Sequence, residues 1–153
     1  MNNNTLTATE IIDTVQAYYD AVDSQEPDRL ADLYLDAPDS TLKFNADPAI
    51  MGVNAIREFT AGFSTALEKI KHARIEIWAM PLLGDIVPED LEPARTHSVT
   101  VASTALPSYW FKNGADSISL PATSIFTIDV ATKKFISVHN MFDIAQVYQA
   151  LQG

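Results

Sequence analysis

Cysteine is absent from the chain of 153 residues, and glycine is scarce, with 5 residues against 8 prolines. Without cysteine there is no disulfide, no thiolate nucleophile and no cysteine-based zinc site, which is compatible with a reducing compartment. No apolar run approaches the roughly 18 residues that a membrane span needs, and the N-terminus lacks the basic and apolar parts of a signal peptide. We therefore expect a cytoplasmic protein with no membrane partner.

Positive charge is also in short supply, because 10 basic residues stand against 20 acidic ones and give a formal net charge of −10. Such a chain repels phosphate backbones and anionic membranes, so nucleic acid is not expected as a partner. Hydrophobic residues make up 47% of the sequence. That share is enough for a single domain over residues 1–153 with a sizeable core, and residues 1–8 are expected to be a flexible N-terminus.

The first half of the chain carries three helical patterns. Thr7 and Glu10 stand at the spacing of a capping box, ahead of the apolar stripe of a first helix. Pro27 suits the first turn of a short second helix. Apolar residues at spacings of three and four predict a third helix from Asn54 onward. Its stripe consists of Ile56, Phe59, Phe63, Leu67 and Ile70.

From His72 onward the sequence is rich in β-branched and aromatic residues, which predicts strands. The strand segments are "HARIEIWAM", "THSVTVASTAL", "PSYWFKNG", "ATSIFTIDV" and "KKFISVHNMF", and the terminal "DIAQVYQALQ" fits a short helix or an extended tail. The segment "PLLGDIVPEDLEPAR" is longer than a hairpin needs and is typical of a functional loop. The order predicts an α+β half-barrel, with three N-terminal helices packed on a curved, mostly antiparallel sheet.

Polar residues on the predicted inward faces point to a pocket between helices and sheet. Side chains alternate between the two faces of a strand, so the apolar set marks the core side. By this rule Asn140 and Ser124 face inward, and His97 faces inward or toward the rim. A buried Asn or Ser commonly only satisfies backbone groups, and a lone His is commonly structural, so both interpretations stay open.

The direction of the side chains in the stretch "TLKFNADP" decides between a catalytic pocket and a pocket that only binds a ligand. Strict alternation along Leu42 and Phe44 turns Asn45 and Asp47 away from the core. A bulge, or the turn at Pro48, would aim one of them into the pocket. Asp47 there would supply a catalytic base, whereas Asn45 would leave a neutral pocket.

Motifs for metals and nucleotides are missing from the sequence. His72, His97 and His139 lie on separate predicted strands, without the spacing of metal ligands. The glycines form no phosphate-binding fingerprint, and there is no G-x-S-x-G nucleophile turn. We expect neither a metal nor a cofactor.

Four segments, "VQAYYDAVDSQEPDRLADLY", "IMGVNAIREFTAGF", "SIFTID" and "ISVHNMFDI", resemble the SnoaL-like branch of the nuclear transport factor 2-like superfamily. Ketosteroid isomerases, limonene epoxide hydrolase and scytalone dehydratase belong to the same superfamily. The resemblance implies a cone-shaped α+β barrel, frequently dimeric, whose pocket opens between the first helices and the sheet. Membership alone does not fix the chemistry.

The resemblance also implies roles for individual residues. Tyr18 falls near the oxyanion-donating tyrosine of ketosteroid isomerases, Ser124 near their carboxylic acid donor, and Asn45 or Asp47 at their general base. Asn140 falls near a carboxylate of limonene epoxide hydrolase. The stretch from Asp23 to Leu30 is similar to scytalone dehydratase, although Val22 replaces the tyrosine beside that Asp.

The sequence thus predicts a small-molecule enzyme that acts on a hydrophobic, carbonyl-bearing metabolite, polyketide- or terpenoid-like, by acid–base isomerisation, cyclisation or dehydration. Tyr18, Asp47, His97 and Asn140 are the predicted catalytic residues, with His97 or Asp47 as proton acceptor. The predicted substrate contacts are Asn45, Phe59, Phe63, Trp78, Tyr109, Ser124, Phe126 and Phe142. Trp78 and Tyr109 fit a homodimer interface equally well. The alternatives are a non-catalytic module that binds an apolar ligand, and a dimeric scaffold without a ligand.

Overall fold

The structure, a computed structural model, describes residues 5–79 and 97–153. The long loop predicted at residues 81–95 and the first four residues lie outside this part of the chain. The described helices are α1 (Ala8–Ser24), α2 (Pro27–Ala31), α3 (Val53–Ala66) and α4 (Ile144–Gln152). The described strands are β1 (Thr41–Phe44), β2 (Ile50–Met51), β3 (Leu67–Ala79), β4 (Ser98–Phe111), β5 (Ile118–Ser119), β6 (Ala122–Asp129) and β7 (Phe135–Met141).

Helix α1 begins with the predicted capping box. The Glu10 amide donates to the Thr7 hydroxyl at 3.1 Å, and the Thr7 amide donates to the Glu10 carboxylate at 2.8 Å. These two bonds satisfy backbone donors that the first turn leaves unpaired. Helix α2 starts at Pro27, also as predicted. The C-terminal segment forms α4 rather than an extended tail.

Helix α3 ends earlier than its apolar spacing predicted. Leu67 is already extended and opens β3, so the continuation of the helix to Ile70 was wrong. Leu67 and Ile70 are nevertheless buried, because an irregularity in the β3–β4 pairing between Leu67 and Lys69 keeps both on the inner face. A spacing of three apolar residues therefore fits a bulged strand as well as a helix.

The sheet has the order β2-β1-β7-β6-β4-β3, and β5 adds to β4. Every pairing is antiparallel except that of β1 with β7, which is parallel. Strands β2 and β3 lie at opposite ends of this order and do not pair with each other. The curved, unclosed sheet with helices against one face confirms the predicted α+β half-barrel.

Strand β4 is continuous where the sequence predicted two strands separated by Pro107. The residue lies where one neighbouring strand replaces another, since β6 pairs up to Ala105 and β5 begins at Ser108. A missing N–H is tolerated at such a gap in the ladder. The proline therefore does not end the strand.

The main core fills the space between α1, α3 and the inner face of the sheet. Its fully buried members include Val15, Ile56, Val101, Phe126 and Phe135. A second cluster packs α4 against β3 and β4, and it includes Val147, Leu67 and Tyr109. In the part of the chain that is described, no helix is long and apolar enough to cross a membrane.

Candidate functional site

A cavity lies between α1, α3 and the concave face of the sheet. The enclosed part of the cavity has a volume of about 70 Å³. The cavity is therefore a narrow slot, and its lining is mostly apolar with a few convergent polar groups, as is common for ligand sites.

Three polar side chains form a hydrogen-bonded chain in the cavity wall. The Ser124 hydroxyl donates to Asn140 Oδ1 at 2.6 Å, and Asn140 Nδ2 donates to the Tyr18 hydroxyl oxygen at 3.2 Å. All three are buried, at 3%, 8% and 4% exposure, which confirms the inward positions predicted for Ser124 and Asn140. Since Asn140 uses the oxygen of Tyr18 as an acceptor, the phenolic hydrogen is available to a ligand oxygen.

Burial raises the pKa of the Tyr18 phenol well above its ordinary value, and the hydrogen bond from Asn140 offsets this only in part. The pKa of the adjacent Tyr19 is also raised by burial, although its hydroxyl donates to Ser103 at 2.9 Å. Both phenols therefore stay protonated at neutral pH. Tyr18 is suited to donate a hydrogen bond and not to act as a base.

The cavity lining also includes His72, which pairs with the carboxylate of Asp23, a contact that was not predicted from the sequence. His72 Nδ1 is 2.6 Å from Asp23 Oδ1, and the His72 backbone amide donates to both carboxylate oxygens at 3.1 Å. The Lys71 ammonium, 3.5 Å from Asp23, adds positive charge. In the tautomer in which Nδ1 carries the proton, Nδ1 donates to Asp23 and Nε2 of His72 is a proton acceptor.

The position of His72 depends on a bulge in β3. Strict alternation would place His72 on the face opposite Ile75 and Ile77, which both pack against the core. The pairing with β4 is irregular between Ala73 and Glu76, and Arg74 there has a left-handed φ of 50°. The extra residue brings His72 to the inner face, where its ring lies 4.8 Å from that of Tyr19.

One signal for the carboxylate partner was present in the sequence. Asp23 follows Tyr19 by four residues, and such residues share one face of a helix. The burial of Tyr19 therefore implied that Asp23 lies at the margin of the core, where its side chain is only 12% exposed.

Five aromatic side chains close a circuit around the cavity, which we call the aromatic collar. It runs through Phe44, Phe59, Phe63, Tyr109 and Phe142, with ring centroids 5.2 to 6.4 Å apart. Phe59 and Phe63 are within 12° of parallel, and Tyr109 and Phe142 within 13°. The two pairs meet nearly at right angles, at 87°. This arrangement offers one flat wall for stacking and another for edge contacts.

Several predicted residues lie away from the cavity lining. His97 was predicted to face inward or toward the rim, but it is exposed in a turn ahead of β4 and does not line the cavity, because the alternation of β4 starts only at Ser98. Asp47 is exposed as well, and Trp78 is 45% exposed near the end of β3. Phe126 is fully buried, with its ring 5.1 Å from that of Tyr18.

Asn45 lies beside the collar but outside the cavity lining. Its side chain bonds to the backbone of Phe142, through Nδ2 to the carbonyl oxygen at 2.7 Å and through Oδ1 to the amide at 3.0 Å. Alternation therefore holds through the end of β1, and neither Asn45 nor Asp47 enters the cavity.

Metal ligands are not grouped in the described ranges. Across residues 5–79 and 97–153, no three His, Asp or Glu side chains are placed to hold a metal ion.

The sequence and structure were compared with known proteins. Residues 12–80 match the model of the nuclear transport factor 2 (NTF2) domain family. Comparison of the sequence with curated proteins gives no match.

Solved structures resemble this one over nearly its whole length. A candidate scytalone dehydratase from Novosphingobium aromaticivorans has a TM-score of 0.66 and 18% identity, covering 93% of this chain and 88% of its own. A candidate SnoaL-like polyketide cyclase from Jannaschia sp. has a TM-score of 0.64 and 15% identity, covering 97% of each chain. The protein TerC, co-crystallised with polyporic acid, has a TM-score of 0.64 and 15% identity, covering 94% of this chain and 99% of its own.

Proposed function

The chain has the NTF2-like α+β cone fold, which bears out the resemblance noted from its sequence, and on that premise we propose that it is an enzyme acting on a hydrophobic, carbonyl-bearing small molecule. The reaction is acid–base isomerisation, cyclisation or dehydration of a polyketide- or terpenoid-like metabolite, without a cofactor. One observation carries this proposal. His72, which can act as a base, and Tyr18, a hydrogen-bond donor that stays protonated at neutral pH, line the same narrow cavity.

His72 is the proposed base in place of His97 or Asp47. The bond from Nδ1 to Asp23 orients the ring and stabilises the imidazolium that forms when Nε2 takes a proton. The imidazole is only 9% exposed, so water competes little for it. Among the residues that the structure describes, the cavity lining includes no Lys, Arg, Asp or Glu, and an uncharged base suits such a lining.

Tyr18 is the proposed donor to the substrate oxygen. As a proton leaves the carbon next to a carbonyl, negative charge develops on the carbonyl oxygen. A hydrogen bond from a buried phenol is worth more there than in water. Asn140 and Ser124 act by holding Tyr18, because their hydrogen bonds fix the phenol from the oxygen side.

The shared first step is enolisation. His72 Nε2 removes a proton from the carbon next to the carbonyl, and the electron pair of that C–H bond forms the enolate stabilised by Tyr18. Returning the proton to a different carbon gives an isomer. In a dehydration the enolate electron pair forms a carbon–carbon double bond and expels a β-hydroxyl, which takes the proton from His72 and leaves as water. In a cyclisation the enolate carbon attacks a second carbonyl carbon, and the oxygen of that carbonyl takes the proton from His72.

The solved relatives lend support to this class of chemistry. The names of two of them denote a candidate dehydratase and a candidate polyketide cyclase, and TerC was crystallised with polyporic acid. The aromatic collar of this chain, with its two flat walls, would suit a ligand with a planar ring system.

Deuterium exchange into 2-tetralone, an uncharged bicyclic ketone, tests the proposal. We expect the protein to accelerate exchange of the protons next to the carbonyl in D₂O, as followed by NMR. His72→Gln should lower that acceleration by about 10²–10⁴-fold, the usual contribution of one general base. His97→Gln and Asp47→Asn are matched controls that should leave the rate unchanged.

Two results would count against the proposal. If either control variant loses the exchange and His72→Gln keeps it, the base is misassigned. If the unmodified protein binds 2-tetralone but does not accelerate exchange, the cavity is that of a binding module. That second candidate function is favoured by the mostly apolar lining of the slot.

A homodimer and a cytoplasmic location complete the proposal. Trp78 is 45% exposed near the end of β3, and the Trp110 ring, on the neighbouring strand, lies 4.9 Å from the Lys69 ammonium. An exposed tryptophan on the sheet suits a protein interface. Sedimentation equilibrium should give twice the chain mass of 16.8 kDa, and a single-chain mass at micromolar concentration would refute the dimer.

A further inference from the structure

Asn45 binds the chain on both sides of one collar residue. Besides its two side-chain bonds to Phe142, its backbone amide donates to the Asn140 carbonyl at 2.8 Å. Its carbonyl oxygen lies 2.7 Å from His139 Nε2. Phe44, the residue before Asn45, also belongs to the collar, with its ring 6.0 Å from that of Phe142. Asn45 thus links the backbones of two of the five collar residues, Phe44 and Phe142.

The local backbone explains why asparagine suits this position. Strands β1 and β7 pair in parallel up to Phe44 and Asn140, and beyond that point the ladder offers Phe142 no partner. The side chain of Asn45 supplies the hydrogen bonds that the ladder lacks at Phe142, because a carboxamide both donates and accepts hydrogen bonds. Asn45 itself has a φ of 49°, a left-handed conformation that Asn adopts more readily than most residues.

Helix α4 follows Phe142 and packs behind the cavity wall. Val147 is fully buried against Leu67 and Tyr109, which line the cavity. At the far end of the helix, Asn113 Nδ2 donates to the Ala150 carbonyl at 2.8 Å. The α4 segment is therefore held at each end by an asparagine side chain, and the end nearer the collar is held by Asn45.

We propose that Asn45 is a positioning residue that holds Phe142 in the cavity wall and so controls how fast a ligand enters and leaves. The proposal rests on the proposed function, in which the cavity is the substrate site. Phe142 is half-buried and stacks on Tyr109 at a centroid distance of 6.2 Å. Without the two bonds from Asn45, the Phe142 backbone keeps the bond from the Ile144 amide to its carbonyl, at 2.8 Å, and loses its direct tie to the end of β1. It then moves away from the cavity more readily, which widens a slot that is narrow at rest.

The test uses Asn45→Gly and a matched control, Asn113→Ala. Glycine keeps the left-handed backbone at no steric cost, so Asn45→Gly removes the side-chain bonds without adding strain. Asn113→Ala loosens the other end of α4 and leaves Phe142 held. The probe is N-phenyl-1-naphthylamine, an uncharged aromatic dye that fluoresces more strongly in apolar surroundings, and its binding is followed by stopped-flow fluorescence.

We expect Asn45→Gly to raise both the association and the dissociation rate of the dye by about tenfold or more, with a smaller change in Kd. Each lost hydrogen bond is worth up to about a factor of ten in the equilibrium that holds Phe142. Asn113→Ala should keep the rates of the unmodified protein. Equal rates in the unmodified protein and Asn45→Gly, or equal acceleration in both variants, would overturn the proposal.

Amide hydrogen exchange separates this inference from the proposed function. If the unmodified protein binds no dye, the cavity is not an open ligand site and the proposed function loses its basis. The role of Asn45 is then decided by the Ile144 amide, which donates to the Phe142 carbonyl at 2.8 Å and keeps that acceptor in both variants. Exchange about tenfold faster in Asn45→Gly and unchanged in Asn113→Ala would support the proposed hold on Phe142, and unchanged exchange in both would refute it.

Discussion

At the scale of single residues, burial sets the protonation of tyrosines in the cavity wall and in the core next to it. Burial raises the pKa of Tyr18, Tyr34 and Tyr109. The raised pKa keeps the Tyr18 phenol protonated, as its proposed role of hydrogen-bond donor requires. Tyr34 shows the cost of burial, because its hydroxyl has no hydrogen-bond partner among the described residues. A buried hydroxyl without a partner is destabilising.

Alkaline unfolding follows from these tyrosines. Unfolded tyrosine has a pKa of about 10, so a raised pKa in the folded state means that folding holds the protons more tightly. The stability this gives is complete below about pH 10 and is lost as the pH rises further. Urea unfolding at pH 8, 10 and 11 should show the free energy of unfolding falling by up to about 1.4 kcal/mol per pH unit for each buried phenol.

Tyr34→Phe isolates one contribution to that fall. The variant removes a hydroxyl that makes no bond, so we expect equal or higher stability at pH 7 and a shallower fall above pH 10. Tyr148 is 38% exposed, and Tyr148→Phe should change the slope much less. A free energy of unfolding that stays level from pH 8 to pH 11 would contradict this reading of the buried phenols.

At the scale of elements, the sequence predicted what local chemistry determines. The capping residues of α1, the proline that starts α2 and the inward faces of β6 and β7 follow from short-range rules, and the structure confirms them. The misplaced element boundaries have a common cause. The end of α3 depends on an irregularity in the pairing of β3 with β4, and the continuity of β4 past Pro107 depends on its partner strands. The spacing of residues along one segment predicts neither.

The same limit explains why His72, the proposed base, was not predicted from the sequence. A bulge at Arg74 reverses the faces of β3, so alternation read outward from Ile75 and Ile77 excludes His72 from the cavity. Bulges depend on the pairing of two strands and give little signal in one of them. By contrast, Ser124 and Asn140 lie on regular strands that pair directly with each other, and alternation located both.

At the scale of the whole molecule, the fold brings together parts that are distant in sequence. Tyr18 and Asn140 are 122 positions apart, and Asp23 and His72 are 49 apart, yet each pair is in contact, and Tyr18, Asn140 and His72 line one cavity. Composition and the order of helices and strands were enough to predict the half-barrel. The resemblance to known families was enough to predict that Tyr18 belongs to the site. The histidine–carboxylate pair required the three-dimensional arrangement, because a helix end and a bulged strand had to meet.

The central claim is that His72 presents an unprotonated Nε2 to the cavity while Nδ1 donates to Asp23. Long-range ¹H–¹⁵N correlation NMR of the imidazole at pH 8, where free histidine is neutral, reports the tautomer directly, and His72→Gln identifies the signals. We predict a proton on Nδ1 of His72 and none on Nε2. A proton on Nε2 at this pH, in the other tautomer or in the imidazolium, would contradict the assignment of His72 as the base.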